Sequence, residues 1–472
     1  MTTIIAATKG NNGRAARRRL YQKVTALLSV LMTLAVMAWY GDRRQAAASR
    51  QPRSSRHLSS SRLRRPQQAQ LPPLAAAAAS GEDDDDEKAL QAVVRGHYSL
   101  VDLSIVHGHH HRGDDDDDDN DQGSSSVWVR GHFCAVDWTA HKADPASTPM
   151  FRNVLQASPG CHDPVILDLQ PVVKAARQYD DEEKNNDPAA VHLLDLAGLV
   201  FHESRCGSTL VANVLQAMDP VAHRVYSESQ PPLHAARLAD DVGPTAAAHI
   251  LADVVYLMRR SVDPAEQRVF FKIQSIGTTV LPVFRQAFPE TPWIFVYRDP
   301  TAVLVSQLEH GVQAANCVRA QAHRPSRLVR QLVHRRQGTS VDALPPESLC
   351  AAHLAAITET AVTALRNDPV HGTAVNYHQL PHRLYDDLLP HHFGVPVTTT
   401  AALARMQAVA GVYSKGGRGN QQQQKKNQAF TSDAQQKKAQ ATVAMQEAAQ
   451  QFLQESYEQL EVLAGVVTTV ED

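Results

Sequence analysis

The stretch LAGLVFHESRCGSTLVANVLQAM, residues 196–218, decides the fold. It begins with an apolar run of the length of a buried β-strand, continues through a polar turn that contains Gly207, and ends in an amphipathic helical pattern. A strand, a tight turn and a helix N-terminus direct several backbone N–H groups and the positive end of the helix dipole at one point. The sequence therefore predicts a binding site for a phosphate or sulfate group at this turn.

The alternation of strand and helix continues along the chain. Four further apolar runs, each followed by a helical pattern, are VAHRVY at 221–226, VFFKI at 269–273, WIFVY at 293–297 and TAVNY at 373–377. Such an alternation is typical of a parallel sheet that is covered by helices on both faces. We predict a three-layer α/β/α domain and expect its ligands at the carboxyl ends of the strands.

A second polar turn follows the run WIFVY. In RDPTAVLVSQL, residues 298–308, Arg298 comes at the end of the strand, Pro300 in the first turn of the next helix and Ser306 two turns later. The guanidinium of Arg298 and the hydroxyl of Ser306 are suited to hold a second phosphate.

The sequence does not match two common motifs, the phosphate loop of nucleotide hydrolases and the zinc motif HExxH. The first turn lacks the lysine of the G-x-x-x-x-G-K-[ST] phosphate loop, which disfavours hydrolysis of ATP or GTP. His202 and Glu203 begin as the zinc motif HExxH does, but Cys206 stands where that motif needs its second histidine. The histidines at 109–111 lie beside six aspartates at 114–119, without the fixed spacing of a folded metal site, and we interpret them as solvated low-complexity sequence.

Together the two turns resemble those of the sulfotransferase family, whose members use 3'-phosphoadenosine 5'-phosphosulfate. SRCGSTL at 204–210 is similar to the family's 5'-phosphosulfate loop, and YRDPTAVLVSQ at 297–307 is similar to its 3'-phosphate motif. VNYHQLPHRLYDDLLPHHFGV at 375–395 and the basic segment YSKGGRG at 413–419 are similar to later segments of the family. The resemblance covers about residues 196–440 and implies a P-loop NTPase-like sulfotransferase fold and a reaction that requires no metal.

The resemblance also implies binding roles, residue by residue. The 5'-phosphosulfate would be bound by Ser204, Arg205, Cys206, Gly207, Ser208 and Thr209, and the 3'-phosphate by Arg298 and Ser306. Lys415 and Arg418 are further candidates, next to a low-complexity insert near 416–428. Arg205 replaces the lysine of many members, Cys206 replaces a smaller or hydroxylated residue, and His378 with Gln379 replaces an acidic pair.

Sulfuryl transfer needs a base for the acceptor and a positive group for the leaving phosphate. Arg205 and the helix N-terminus meet the second need, and Glu228, in VYSESQ after the second run, is the best-placed base, as some Golgi members of the family imply. His202 and Lys272 are alternative bases, and Lys272 can also touch the transferring group. The structural alternatives are that Glu228 only neutralises a helix dipole and that Lys272 extends to solvent.

The N-terminal part of the 472-residue chain has a different composition. Residues 1–80 carry 14 of the 47 basic side chains and one of the 49 acidic ones. The uncharged segment 24–40 covers about 25 Å as a helix, which is enough for a thin bilayer. With the basic tail 1–23 before it, we predict a single-pass type II signal anchor in the Golgi membrane; a cleaved signal peptide and an organellar transit peptide are the alternatives.

Three segments follow the predicted anchor. Residues 41–126 form a low-complexity, disordered stalk with a short ordered piece near 89–105, because so polar a composition cannot bury enough apolar surface to fold. Residues 127–195 form an extension that packs on the main domain, 196–472, with strand-like alternation at 127–138 and a helix from Leu169.

Five cysteines are too few for a disulfide scaffold in a chain of this length. Cys134 and Cys161 are either a disulfide or two buried thiols, and Cys317 and Cys350 are a second candidate pair.

The acceptor is the least specified part of the function. It carries a hydroxyl or an amine and belongs to a carbohydrate or a protein. A basic segment at 319–336 either attracts an anionic glycan or is a solvated helix and loop, and the absence of interleaved aromatic residues argues against nucleic acid. Two other functions stay open: a different P-loop transferase, such as a small-molecule kinase, and a catalytically inactive binding protein with this fold.

Overall fold

The strands lie in two sheets and one short pair. The computed structural model describes residues 81–108, 126–183, 191–322, 325–412 and 434–466. Within these ranges the strands are β1 (Ser99–Gly108), β2 (Ser126–Cys134), β3 (Val165–Asp168), β4 (His192–Leu193), β5 (Asp195–His202), β6 (His223–Ser227), β7 (Arg260–Ser261), β8 (Arg268–Lys272), β9 (Trp293–Tyr297) and β10 (Gly372–Asn376).

The central sheet has the order β10-β9-β5-β8-β6, and every neighbouring pair is parallel. These strands coincide with the five apolar runs of the sequence, so the predicted parallel sheet is confirmed. His202 at the end of β5 lies opposite Val296 of β9. The two predicted anion turns therefore leave adjacent strands at the same edge of the sheet.

Helices cover both faces of this sheet. In β5, Leu199 and Phe201 face one core with Leu251, whereas Val200 faces the other with Val211. The helices are α1 (Gly81–Val94), α2 (Thr139–Ala143), α3 (Phe151–Ala157), α4 (Leu169–Glu183), α5 (Ser208–Met218), α6 (Gln230–Arg237), α7 (Ala239–Val242), α8 (Pro244–Arg259), α9 (Leu281–Ala287), α10 (Pro300–Leu308), α11 (Asn316–Ala322), α12 (Arg327–Gln337), α13 (Pro346–Asn367), α14 (Thr400–Ala410), α15 (Ala434–Gln440), α16 (Val443–Phe452) and α17 (Gln454–Leu463). A π-helical segment, Leu384–His392, precedes α14.

The segment before the main domain is more ordered than its composition predicts. β1, β2 and β3 form an antiparallel sheet, and β1 packs on α6 and α8. Ala89 and Val93 of α1 and Leu100 and Leu103 of β1 are buried in the same core as Phe201. The short ordered piece expected near 89–105 is therefore present and longer than expected, and the predicted disordered stalk is corrected over the rest of residues 81–108. The rest of the predicted stalk, 41–80 and 109–125, lies outside the described residues.

Both candidate cysteine pairs are disulfides. Cys134 at the end of β2 is bonded to Cys161, and Cys317 of α11 is bonded to Cys350 of α13. Cys206 is a buried free thiol.

One described helix, α13, is long and apolar enough to span a membrane. Most of it is buried in the domain, where Leu354 and Ile357 contribute to two of the cores, so it is a core helix. The predicted anchor at 24–40 lies outside the part of the chain that the structure describes.

Two buried histidines make the stability depend on pH. Burial lowers the pKa of His141 and His353 from 6.5 to about 4. Their contribution to stability is complete above about pH 6.5 and is lost as the pH falls toward 4, because the unfolded chain takes up the protons first. We expect each to lower the free energy of unfolding by about 2 kcal/mol at pH 5 relative to pH 7.5.

Urea unfolding at pH 7.5 and pH 5, followed by tryptophan fluorescence, measures this loss. His141→Asn is expected to remove part of the pH dependence, whereas His97→Asn, at an exposed position, is expected to leave it unchanged. Equal stability of the unsubstituted protein at the two pH values would contradict this account.

Candidate active site

The turn between β5 and α5 is held in a left-handed conformation. Ser204 has φ of 84° and Arg205 has φ of 54°, and the following Gly207 has φ of 86°. Residues other than glycine adopt such angles at a cost of about 1–3 kcal/mol each, and they concentrate at binding and catalytic sites. In the described ranges the one other non-glycine residue with positive φ is Glu228, at 59°. All the strained positions therefore belong to the predicted site.

Gly207 caps the N-terminus of α5 and has no room for a side chain. A Cβ atom there would lie 2.6 Å from Cδ2 of Tyr377. The N–H of Leu210 donates to the oxygen of Gly207 over 2.9 Å. The backbone N–H groups before it have no carbonyl of a preceding helical turn as partner, and the positive end of the helix dipole is at the same place. The turn thus has the geometry of an anion site.

The structure brings the two predicted anion turns together. Arg205 Nε donates to the backbone oxygen of Ser306 over 3.2 Å. The guanidinium carbon of Arg298 lies 4.4 Å from the centre of the Tyr377 ring, the same ring that packs against Gly207. The two turns are therefore neighbours on one side of the molecule.

A buried carboxyl group fixes the second turn to the first. Glu203 Oε1 accepts a hydrogen bond from the backbone N–H of Arg298 over 2.5 Å. Burial raises the pKa of Glu203 well above its ordinary value, and the hydrogen bond and charge of Arg298 oppose this rise. In the sequence, Glu203 stood out only as part of the zinc motif HExxH, which is not completed. Its position between a buried strand and a polar turn was the one feature of the sequence that could have indicated a role in the site.

Three predicted side chains meet beside the first turn. Glu228 follows β6, Lys272 ends β8 and His202 ends β5. Lys272 Nζ donates to Glu228 Oε1, and His202 Nε2 lies 3.7 Å from the same oxygen. The Lys272 side chain is completely buried, so it does not extend to solvent. The carboxylate of Glu228 contacts these two groups, and Ser229 is the N-cap of α6.

The hydrogen bonds of His202 argue against its use as the base. The backbone N–H of Ser204 donates to His202 Nδ1 over 3.1 Å. Because a backbone N–H only donates, Nδ1 is the unprotonated nitrogen, and Nε2 carries the proton of the neutral ring. The lone pair that a base requires is thus already engaged.

The side chain of Cys206 is fully buried. It is buried in the core that contains Val200 and Leu210. Burial and the charge of Glu203 raise the pKa of its thiol to about 12. Cys206 can therefore contribute its backbone, but not its sulfur, to anion binding.

Two lysines that sequence analysis missed lie at the second turn. Lys437 Nζ donates to Ser306 Oγ, and Lys438 Nζ lies 3.7 Å from Asp299 Oδ2. Both belong to α15, whose only signal in the sequence is the pair of lysines in AQQKKAQ. The lysine and arginine predicted for this role, Lys415 and Arg418, lie outside the described residues.

The basic segment is largely engaged within the domain. Arg335 and Arg336 form ion pairs with Glu359, and Arg330 donates to the oxygen of Pro325. These contacts favour the interpretation as a structural helix and loop.

No family model and no curated protein matches this chain. Among solved structures it is similar to the sulfotransferase domain of the Synechococcus PCC 7002 olefin synthase, with a TM-score of 0.31 and 16% identity over 58% of this chain and 96% of that one. The sulfotransferase domain of the curacin biosynthetic pathway gives a TM-score of 0.32 and 14% identity over 55% and 98%. Sulfotransferase STF1 from Mycobacterium tuberculosis H37Rv gives 0.28 and 16% over 51% and 79%. Scores of this size assign no reaction, so the function has to be inferred from the site itself.

Gly207→Ala tests the close approach of Tyr377. Gly338 is the matched control, because it is also left-handed, with φ of 64°, but a Cβ atom added to it would meet no other atom within 4 Å. Gly338→Ala is expected to cost about 1 kcal/mol of stability from backbone strain alone. Gly207→Ala is expected to cost more and to abolish binding of adenosine 3',5'-bisphosphate.

Chemical denaturation and titration calorimetry measure the two effects. Equal stability losses in the two variants, with bisphosphate binding intact in both, would show that the contact between Gly207 and Tyr377 has no role in the site.

Proposed function

We propose that the protein is a sulfotransferase that moves a sulfuryl group from 3'-phosphoadenosine 5'-phosphosulfate to a hydroxyl or amine of a carbohydrate or protein acceptor. The observation that carries the proposal is the adjacency of two anion turns. Arg205 reaches the carbonyl of Ser306, and Tyr377 contacts both Gly207 and Arg298. A nucleotide with anionic groups on both its 5' and 3' positions is the ligand that matches two such turns.

The residues present fit this donor. The first turn offers the backbone of residues 204–209 and the charge of Arg205 for the 5'-phosphosulfate. The second turn offers Arg298, Ser306 and Lys437 for the 3'-phosphate. When bound, the donor supplies an activated sulfuryl group attached to a phosphate leaving group. No metal has a role in this proposal, and in the described residues no group of three His, Cys, Asp or Glu side chains is arranged to hold one.

The side chains of the site divide the chemical work. Arg205 and the N-terminus of α5 stabilise negative charge that develops at the first turn. Glu228 accepts the proton of the acceptor group, because its carboxylate is 21% exposed whereas its partner Lys272 is fully enclosed. The ammonium of Lys272 holds the carboxylate in one orientation and adds positive charge beside the reaction.

We further propose that the catalytic domain lies in the Golgi lumen behind the membrane anchor at 24–40. Two disulfides support an oxidising compartment, since such bonds persist there and are rare in the cytosol. A secreted or organellar protein, after cleavage of the N-terminal segment, is the competing possibility.

Arg205→Ala is expected to weaken adenosine 3',5'-bisphosphate binding by about 10- to 100-fold, the usual effect of losing one charged hydrogen-bond donor. Arg330→Ala, which removes an exposed arginine from α12, is expected to bind as the unsubstituted protein does. Titration calorimetry with the bisphosphate and with ATP and magnesium measures both affinities. Preference for ATP would favour a kinase, and unchanged binding by Arg205→Ala would contradict the proposed site.

Glu228→Gln is expected to lower kcat by about 10²- to 10⁴-fold, because it removes the general base. Bisphosphate affinity should stay the same, since the carboxylate does not bind the nucleotide. The assay follows transfer of labelled sulfate from the donor to a panel of glycan and protein acceptors. Glu309→Gln, at an exposed position after α10, is the control, and full activity of Glu228→Gln would exclude Glu228 as the base.

A further inference from the structure

His202 contacts both functional parts of the proposed site. It ends β5 at the centre of the sheet, and its side chain is 4% exposed. Its Nδ1 accepts from the backbone N–H of Ser204, the first residue of the anion turn, over 3.1 Å. Its Nε2 lies 3.7 Å from Oε1 of Glu228, the proposed base. One buried ring therefore faces the binding turn with one nitrogen and the base with the other.

The anion turn needs an external restraint at this point. Ser204 and Arg205 are left-handed, a conformation that residues with a Cβ rarely adopt without support from their surroundings. The hydrogen bond from the Ser204 N–H ends on a ring that is itself enclosed, so it fixes the direction of the backbone as the chain leaves the strand. Because Ser204 and Arg205 are both left-handed, the chain turns so that the side chain of Arg205 reaches the backbone oxygen of Ser306.

The base needs orientation as well. Glu228 contacts Lys272 Nζ on one side, and the protonated Nε2 of His202 is the polar group on another. Lys272 holds the carboxylate by a hydrogen bond. His202 Nε2, at 3.7 Å, is beyond hydrogen-bond distance and acts on the carboxylate by electrostatic attraction, so the two groups together favour one orientation of the carboxylate toward an acceptor.

We propose that His202 is a positioning residue that couples the 5'-phosphosulfate turn to the orientation of Glu228, with Nδ1 acting on donor binding and Nε2 on turnover. This inference rests on the proposed sulfotransferase function. It assigns His202 no contact with the reacting atoms and no proton transfer.

Two amide substitutions separate the two nitrogens. The Oδ1 of asparagine is as many bonds from the backbone as Nδ1 of histidine, so His202→Asn keeps an acceptor for the Ser204 N–H and loses the group that faces Glu228. The Nε2 of glutamine corresponds to Nε2 of histidine, so His202→Gln keeps the donor toward Glu228 and loses the acceptor at Nδ1.

The expected results differ in kind. His202→Asn should bind adenosine 3',5'-bisphosphate within about 3-fold of the unsubstituted protein, and its kcat should fall by about 10-fold or more. His202→Gln should bind the bisphosphate about 10-fold more weakly, and its kcat at saturating donor should stay near the original value. Titration calorimetry on the full chain measures the affinity independently of turnover.

A glycine at position 204 provides a rescue. Glycine adopts φ of 84° without strain, so the turn no longer depends on the restraint from His202. Ser204→Gly in the His202→Gln background should therefore recover most of the lost bisphosphate affinity. If His202 contributed only to general stability, Ser204→Gly would not restore bisphosphate affinity. A double variant that recovers no affinity would therefore overturn the proposal.

His223 is the matched control. It is a buried histidine of the same sheet whose Nδ1 is bonded to the backbone oxygen of Leu215, but it begins β6 at the opposite edge from the site. His223→Asn and His223→Gln are expected to change stability and to leave both bisphosphate affinity and kcat unchanged. The same loss of binding in the His223 variants would attribute the effect to the core and overturn the assignment to His202.

The outcomes separate the two levels of inference. If the unsubstituted protein binds no bisphosphate, the proposed function fails and this inference fails with it. If it binds, and His202→Asn and His202→Gln lose the same property to the same extent, only the coupling role fails.

If the variants do not fold, the hydrogen bond between Ser204 and His202 can be tested by NMR on the unsubstituted protein. In protein labelled with ¹⁵N, a scalar coupling across the hydrogen bond should join the Ser204 amide nitrogen to an imidazole nitrogen of His202. Detection of this coupling to an unprotonated Nδ1 is the expected result. An Nδ1 that carries a proton, or the absence of the coupling, would overturn the proposal.

Discussion

The contact between the backbone of Gly207 and the ring of Tyr377 is the constraint on which the site depends. The ring comes from the residue after β10 and lies between the first anion turn and the guanidinium of Arg298. A side chain at position 207 would push the ring away, and with it the surface on which Arg298 rests. The parallel order of β10, β9 and β5 makes this contact possible, because it places the ends of all three strands at one edge.

Two acidic side chains have partners at this edge. Glu228 forms an ion pair with the enclosed Lys272, and the buried carboxyl of Glu203, whose pKa is raised by burial, accepts from the backbone N–H of Arg298. Burying an ion pair usually adds little net stability, since desolvation offsets the attraction, and removing one partner is strongly destabilising. The ion pair at the ends of β6 and β8 is therefore better explained by a role in the proposed site than by the needs of the fold. The backbone strain at Ser204, Arg205 and Glu228 has the same location.

The sheet and the two turns could be predicted from the sequence, because buried parallel strands are continuous apolar runs and the turns follow them directly. The first half of helix α1, before the ordered piece expected at 89–105, could not, because an acidic run dominates its composition. Lys437 was missed for a different reason. It reaches Ser306 through the packing of α15 on α10, and the residues between Val412 and Ala434 give no pattern that fixes where the chain returns. Lys272 was open to two interpretations because burial of an ammonium depends on a partner from another strand.

The bond between Cys317 and Cys350 has a consequence for preparing the protein. It joins α11 to α13 in the core that also holds Val303 and Leu304 of α10, the helix that carries Ser306. A crosslink over 33 positions stabilises a fold by about 3–4 kcal/mol through loss of chain entropy in the unfolded state. Material made in the cytosol of a bacterial host would lack this crosslink. Such material would then retain the sheet, while the helices that carry the second turn would be the least firmly held part of the domain.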